Sequence, residues 1–240
     1  MLRLVCTSFD TWHDGWRDQS MAWLSADERG RLTRIRAPRR ADQFLAGRLL
    51  VRQLIAEYCG RAPVEIHLPA TAPKVATDIS GALLCHLSIS HTDVYLAVAL
   101  DSDPVGVDCE QLKERCNWRA IAEQYFAPFE MACLRTMAPA KAACEFMRIW
   151  TAKEALSKCA GADLARLLKG APVACGETHW PREFARYRCW SGDLPDGLHV
   201  SLVREVAPEM APAQLQGEFR TQPVGVATVR FELQALNPRD

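Results

Sequence analysis

The chain has 240 residues, of which 49% are hydrophobic and 24% are charged. These proportions are typical of a globular protein with an apolar core, and the length suits one large domain or two fused small ones. Lysine and arginine together number 29, as do aspartate and glutamate, so the formal net charge is zero. This balance gives no support for nucleic acid or an acidic membrane surface as the main partner.

The ten cysteines stand singly, and no C-x-x-C pair occurs. Small apolar residues would serve at several of these positions, so the pattern favours buried free thiols in a reducing compartment. The first residues lack a basic region followed by a long apolar run, and no apolar stretch has membrane-spanning length. We therefore expect a cytoplasmic protein that does not bind a membrane.

A helical pattern extends from Ala22 to Tyr58 and contains the segment ADQFLAGRLLVRQLIAEYCG. Its apolar residues recur at helical spacing, and Gly60 is a suitable end. Arginines crowd the start of this region, where an anion site and a solvated basic face are about equally favoured. They are Arg29, Arg31, Arg34, Arg36, Arg39 and Arg40.

Strands follow the helix. VEIHLPATAPKV predicts a short strand and a proline-broken loop, and HLSISHTDVYLAVAL predicts a buried strand. The turn DSDP then predicts a hairpin with VGVDCE, Val105–Glu110, as the partner strand. Residues 111–170 are predicted to be mostly helical with breaks near Pro128 and Pro139, and strands return at RYRCW, LHVSLVREV and GVATVRFEL. This order predicts an α+β fold with two halves that meet near residue 104.

Two carboxylates share one face of the VGVDCE strand. Because side chains alternate along a strand, Asp108 and Glu110 lie about 6–7 Å apart on the same side. Such a pair suits a hard cation such as Mg²⁺, and the alternative is a strand end exposed to solvent.

The segment WTAKEALSK, Trp150–Lys158, reads as a helix. Glu154 and Lys158 lie nearly opposite its apolar stripe, so they form either a surface ion pair worth about 0.3–0.5 kcal/mol or part of a covered cleft. Trp150 lies beside them and favours the cleft. In SISHT, His91 is either a loop histidine satisfied by its neighbours or a donor to an anionic ligand. We identify no Ser/His/Asp arrangement and no glycine-rich phosphate loop, so a phosphate would be held by a metal, arginine and lysine.

SISHT, VGVDCE and WTAKEALSK, in this order, resemble the motifs of the surfactin-synthetase type of 4′-phosphopantetheinyl transferase, and FLAGRLLVR resembles that family's first long helix. The resemblance covers roughly residues 20–205. It implies two pseudo-symmetric halves, residues 1–104 and 105–206, each a small antiparallel sheet packed with a long helix, with the active site in the groove between them. Residues 207–240 would be an extension of unknown role.

The resemblance also implies the reaction and its residues. The phosphopantetheine arm of coenzyme A would pass to a serine of an apo carrier protein, with Mg²⁺ held by Asp108, Glu110 and Glu154. Glu154 is the candidate base, acting directly or through a metal-bound water, and whether it is base, metal ligand or both is left open. Asp108 and Lys158 would complete the catalytic set. The residues that would bind coenzyme A are Arg31, Arg48, Lys74, Ser90, His91, Lys153 and Lys158. Lys74 lies in PATAPKV, which departs from the family's glycine-containing turn.

In the family, the segment between the metal strand and the lysine helix helps to dock the carrier. Here it offers three arginines for an acidic carrier surface and several apolar side chains: Arg115, Arg119, Arg135, Tyr125, Phe126, Phe129 and Met131. Phe126 is equally well explained as a core residue. Two other functions remain open, a metal-dependent phosphohydrolase acting on a nucleotide diphosphate and a homologue that binds coenzyme A or a carrier without transfer. Two fused halves predict a monomer.

Overall fold

The structure is a computed structural model that describes residues 2–72, 74–111, 117–174, 176–207, 211–222 and 228–238. The chain divides into two compact units. The first unit is Met1–Pro104 with Gly217–Arg230, and the second is Val105–Gln216 with Phe231–Asp240. Each unit combines helices with strands, which confirms the predicted α+β class.

The secondary-structure elements are numbered in chain order. The strands are β1 (Arg3–Ser8), β2 (Val75–Thr77), β3 (Leu83–His91), β4 (Tyr95–Asp101), β5 (Val105–Gln111), β6 (Val173–Ala174), β7 (Glu177–Thr178), β8 (Tyr187–Asp193), β9 (Leu198–Glu205), β10 (Gln214–Arg220) and β11 (Thr228–Pro238). The helices are α1 (Trp16–Trp23), α2 (Ala26–Leu32), α3 (Pro38–Cys59), α4 (Trp118–Tyr125), α5 (Pro128–Thr136), α6 (Pro139–Ala160) and α7 (Leu164–Gly170). None of the helices described is both long and apolar enough to cross a membrane.

In the first unit, helix α3 covers an antiparallel sheet. Strand β4 pairs with β3 on one side and β1 on the other, and β1 also pairs in parallel with the end of β10. Buried residues of α3, among them Leu49 and Leu50, share one apolar cluster with Leu96 and Val98 of β4. The helix ends at Gly60, whose φ of +65° is the left-handed conformation that glycine adopts without strain.

The predicted helix from Ala22 to Tyr58 is divided in two places. Ser25 accepts a hydrogen bond from the Glu28 backbone amide, and the Glu28 side chain accepts one from the Ser25 amide, so a capping box starts α2. Pro38 then occupies the first turn of α3, where its missing amide hydrogen costs nothing. The capping box at Ser25 and the proline at Pro38 therefore divide the region into separate helices, although its apolar spacing is continuous.

In the second unit, helix α6 lies on a sheet in which β9 pairs with both β5 and β8, and β8 pairs with β11. Pro128 and Pro139 lie in the first turns of α5 and α6, so the predicted breaks are correct. Ile149, Ala152 and Leu156 of α6 are fully buried, as the predicted apolar stripe requires.

The structure corrects two further expectations and adds two strands. The hairpin between VYLAVAL and VGVDCE is wrong, because β4 has β3 and β1 as neighbours while β5 pairs with β9. The turn DSDP correctly predicts that β4 ends there, but a turn does not determine which strand pairs with β5. Strands β1 and β10 were not predicted. The expectation of free thiols fails at Cys133, which is disulfide-bonded, although it holds at seven other cysteines.

Candidate functional site

A close approach of α6 to β5 builds the site in the second unit. A Cβ atom at Gly106 would lie 2.0 Å from the Ala155 carbonyl oxygen and 2.6 Å from the Cys159 amide nitrogen. No side chain fits in that space, so only glycine allows the helix to pack this near the strand. Asp108 is two residues further along β5 and therefore faces the same helix.

Two carboxylates of this site converge on one ammonium group. Lys158 Nζ lies 2.6 Å from Asp108 Oδ1 and 3.8 Å from Glu154 Oε2. The ammonium also donates to the Val107 carbonyl oxygen at 3.2 Å. Asp108 is buried, whereas the side chains of Lys158 and Glu154 keep 31% and 24% of their surface exposed. A ligand in solution can therefore reach Glu154 and Lys158.

The environment of the cluster shifts two pKa values. Burial raises the pKa of Glu154, the charge of Asp108 raises it further, and Lys158 and a hydrogen bond from Trp150 oppose both effects. Burial lowers the pKa of Lys158, but its charge interaction and hydrogen bond with Asp108 outweigh this and raise the pKa overall. Lys158 is thus held as a cation, and Glu154 is a stronger base than an ordinary surface carboxylate.

The donor atoms of this cluster suit a hard divalent cation, since Asp108 and Glu154 offer carboxylate oxygens close enough to repel each other. Glu110 faces the same side of β5 and is half-buried. Within the described ranges, however, no group of three or more His, Cys, Asp or Glu side chains is arranged to hold a metal ion. The three-carboxylate magnesium site therefore stays a prediction.

Lys153, which the resemblance assigns to coenzyme A, lies elsewhere. Its side chain is fully buried, and its ammonium donates to Glu130 Oε2 at 2.7 Å and to the Leu168 carbonyl oxygen. It also lies 5.0 Å from the centre of the Phe126 ring. Glu130 in turn accepts hydrogen bonds from the Val173 and Ala127 amides. These contacts favour a structural role for Lys153.

The first unit contains an arginine-lined cavity of about 230 Å³ on α2, α3 and β3. It brings together Arg31, Arg48 and His91, which the resemblance assigns to coenzyme A. Arg40, one of the arginines of the predicted anion site, also lines it, as do Gln43 and Phe44, which were not predicted for any site. We call this the arginine pocket. Ser90 and Lys74 are not among its lining residues; Ser90 is buried and Lys74 is exposed.

Arg48 carries a buried positive charge into the arginine pocket. It is 4% exposed, its Nε lies 3.4 Å from Glu28 Oε1, and its Nη2 donates to the Ala70 carbonyl oxygen at 2.9 Å. Its Nη1 has no hydrogen-bond partner. Burial lowers the pKa of Arg48 to about 10, and repulsion from Arg52 and Arg31 adds to this against the attraction of Glu28. An anion placed in the pocket would relieve both the repulsion and the unpaired donor.

Arg40 holds His91 at the mouth of the same pocket. Arg40 Nη1 lies 2.8 Å from His91 Nε2 and 2.8 Å from Gln43 Oε1. Because a guanidinium has no acceptor atom, Nε2 of the imidazole accepts this bond. Arg40, Phe44 and Arg48 follow one another at intervals of four along α3, a helical spacing that was available in the sequence and went unused.

The predicted carrier-docking segment shows a mixed surface. Tyr125 and Phe129 are 39% and 45% exposed, and the Phe129 ring lies 4.7 Å from that of His179. Phe126 is buried against Phe146 and belongs to the core. Met131 is half-buried, and the two arginines of the segment that the structure describes, Arg119 and Arg135, are exposed. Arg115 lies outside the described residues.

Comparison with known proteins agrees with the site. Residues 104–194 match the family model of the 4′-phosphopantetheinyl transferase superfamily. The chain is 31% identical over 150 residues to 4′-phosphopantetheinyl transferase HetI of Nostoc sp., and 30% identical over 161 residues to a 4′-phosphopantetheinyl transferase of Bacillus subtilis. The match to the Nostoc protein covers 61% of this chain and 63% of that relative. The match to the Bacillus subtilis protein covers 63% of this chain and 66% of that relative. Over 121 residues, 50% of the chain and 58% of the relative, it is 35% identical to 4′-phosphopantetheinyl transferase AcpT of Escherichia coli.

The matched segment spans β5 and α6, which carry Asp108, Glu154 and Lys158. The resemblance seen in the motifs is therefore confirmed at the level of the 4′-phosphopantetheinyl transferase superfamily, whose family model matches residues 104–194. The chain spans less than two thirds of the length of these relatives.

Proposed function

We propose that this protein is an enzyme that transfers the 4′-phosphopantetheine arm of coenzyme A to a serine hydroxyl of an apo carrier protein. The observation that carries this proposal is the convergence of Asp108 and Glu154 on Lys158, in the segment that matches the family. The cluster combines a base, a cation and hard oxygen donors, which are the groups that phosphoryl transfer needs.

In the proposed reaction, the serine oxygen forms a bond to the β-phosphorus of coenzyme A, and the bond from that phosphorus to 3′,5′-ADP breaks. Glu154 accepts the proton of the serine hydroxyl, for which its raised pKa is suited. Lys158 offsets the negative charge of the phosphate oxygens and the leaving group. Mg²⁺, when bound by Asp108, Glu110 and Glu154, would neutralise the pyrophosphate and orient it.

We assign the arginine pocket to the 3′-phosphate of coenzyme A. A phosphate monoester carries close to two negative charges at neutral pH. Arg31 and Arg48 supply positively charged donors, and His91 lines the same pocket. The unpartnered Arg48 Nη1 supports this assignment, because a buried guanidinium donor is costly to leave unpaired.

We assign carrier docking to α4 and α5, which expose Tyr125, Phe129, Arg119 and Arg135. Exposed aromatic side chains beside arginines are common in protein interfaces, and carrier proteins are generally acidic, so the two arginines favour their approach. The pathway that the carrier serves is left open by these residues.

The test is intact-mass spectrometry of several apo carrier proteins after incubation with the protein, coenzyme A and Mg²⁺. A mass gain of one phosphopantetheine, lost on adding EDTA, is expected. Consumption of coenzyme A with no gain on any carrier would instead favour a phosphohydrolase, which uses water as the acceptor. Binding of coenzyme A with neither outcome would favour a homologue that binds without transfer.

A further inference from the structure

Five polar side chains form a continuous hydrogen-bonded chain beneath α6 in the second unit. His199 Nδ1 lies 2.6 Å from Asp193 Oδ1, and His199 Nε2 lies 2.8 Å from Ser191 Oγ. Ser191 Oγ lies 2.8 Å from Ser201 Oγ, which lies 2.7 Å from Thr151 Oγ1. All but Asp193 are buried. We call this series the polar chain.

The order Ser191, His199, Asp193 resembles a nucleophile, a base and an orienting acid, but the site is closed. Ser191 is only 4% exposed, and its hydroxyl is already bonded to both His199 and Ser201. A carbonyl substrate could not reach this oxygen. The polar chain therefore serves some purpose other than nucleophilic attack.

The strand register places the polar chain directly beside the site. Asp108 of β5 lies opposite Ser201 of β9, and Ser201 lies opposite Ser191 of β8. In the next row, Glu110 lies opposite His199, and His199 lies opposite Asp193. Cross-strand partners point to the same face of a sheet, so two rows of polar residues run across three strands under α6.

Helix α6 is attached to the first of these rows at two points. Thr151 bonds to Ser201, and Lys158 bonds to Asp108. These anchors are seven residues apart, which is about 10.5 Å along a helix, and Glu154 lies between them. Elsewhere α6 packs on the sheet through apolar side chains such as Ile149 and Leu156, and it comes closest to β5 where Ala155 meets Gly106. Apolar contacts are not directional, so the two hydrogen-bonded anchors are the contacts that depend most steeply on the exact position of the helix.

We propose that the polar chain is a positioning device that fixes the translation and rotation of α6 on the sheet, and so sets the position of Glu154 relative to Asp108. Hydrogen bonds between short side chains weaken steeply with distance and angle, and the buried setting strengthens them. Removing the Thr151 hydroxyl takes away one of the two described anchors of α6 on this row, and Glu154 can then move relative to Asp108. This inference rests on the proposed function, in which Glu154 is the base.

The main test is Thr151→Val, which keeps the shape of the side chain and removes its hydroxyl. We expect kcat for transfer to fall about 10-fold to 100-fold, since small misplacements of a catalytic group have effects of this size. KM for coenzyme A should change less than kcat, because the arginine pocket proposed for the 3′-phosphate lies in the first unit and is unchanged in this variant. Thr151→Ser, which restores the hydroxyl, should recover most of the rate.

Ser201→Ala removes the same hydrogen bond from the sheet side, so it should lower kcat similarly, and the double variant should be no worse than either single one. Thr136→Val is the matched control, because the Thr136 hydroxyl donates to the Cys133 carbonyl oxygen within α5 and takes no part in the polar chain. Rates are compared well below each melting temperature, so that a loss of stability alone leaves them unchanged.

A second readout does not need activity. The indole of Trp150 donates to Glu154, so its NMR resonance reports the position of that carboxylate. The resonance should move in Thr151→Val and Ser201→Ala and stay in place in Thr136→Val. If wild-type protein modifies no carrier, the proposed function fails, yet the resonance still decides the inference. An unmoved resonance or a wild-type kcat in folded Thr151→Val or Ser201→Ala would overturn it.

Discussion

The two units share a similar architecture of one long helix on a sheet, but their buried clusters carry opposite excess charges. Each has a helix of 22 residues, α3 and α6, that starts at a proline, ends at a left-handed glycine and covers an antiparallel sheet. In the first unit, two arginines share one buried glutamate, which leaves one positive charge in excess. In the second unit, two carboxylates share one lysine, which leaves one negative charge in excess.

The sign of the excess charge indicates which kind of ligand each unit can bind. The excess positive charge around Arg48, Arg52 and Glu28 fits an anion, and the excess negative charge around Asp108, Glu154 and Lys158 fits a cation. In each case the local partner offsets only part of the charge, so a ligand of the right sign completes the balance. Variants of each unit can test whether it has the role that its charge indicates.

The largest effect is expected in the second unit. Asp108→Ala and Glu154→Gln should each lower transfer by at least about 1,000-fold, because each removes a group that acts on the reacting atoms. Intact-mass measurement of carrier modification gives the rate, and circular dichroism checks the fold. Glu145→Gln is the control, as it changes an α6 carboxylate that is paired with Arg148 away from the cluster. Near-wild-type turnover by folded Asp108→Ala would remove the basis for the proposed metal site.

The next effect separates Lys153 from Lys158. Glu130→Gln should lower the free energy of unfolding by about 3–5 kcal/mol, because it leaves the Lys153 ammonium buried without its counter-charge. Lys153→Met should cost a similar amount, and the double variant should cost less than the sum of the two. Urea denaturation measures all three. A folded Lys153→Met protein of wild-type stability that binds coenzyme A weakly would instead support the cofactor-binding role implied by the resemblance.

A smaller effect is expected in the arginine pocket. Arg31→Ala should weaken coenzyme A binding about 10-fold, which is about 1.4 kcal/mol for one charge-assisted contact. It should have almost no effect on binding of dephospho-coenzyme A, which lacks the 3′-phosphate. Calorimetry with both ligands measures the difference. Arg34→Ala is the control, since Arg34 is exposed and bonded to the Gly30 carbonyl oxygen. Equal losses for both ligands would show that Arg31 binds another part of the molecule.

The smallest effect concerns pH and the stability of the first unit. A hydrogen bond from Arg17 lowers the pKa of Asp42, with the two bonds of the pair at 2.7 and 2.9 Å. Because the folded pKa lies below the unfolded value, this pair stabilises the protein above about pH 4 and loses its effect as the pH falls through the folded value. Asp42→Asn should therefore cost less than about 1 kcal/mol at pH 7. Thermal melts of the variant and wild type should converge at low pH, and a constant difference would contradict the assignment.

Local patterns determined much of this protein. The prolines fixed the starts of α5 and α6, Gly60 fixed the end of α3, and the alternation in LHVSLVREV fixed β9. The spacing within VGVDCE and WTAKEALSK paired Asp108 with Glu110 and Glu154 with Lys158, and the resemblance to the family joined the two pairs into one predicted site. These features depend on neighbours in the chain, so the sequence states them directly.

Tertiary structure decided the features that depend on distant partners. The partner of β5 is β9, some ninety residues away, and no turn signal names it. Lys153 and Lys158 look alike in the sequence, but the helix turns one toward buried Glu130 and the other toward Asp108. The hydrogen bond between Thr151 and Ser201 likewise exists only because α6 folds across β9. Interactions between chain neighbours determine the secondary-structure elements. Packing between distant elements determines which of their side chains come into contact.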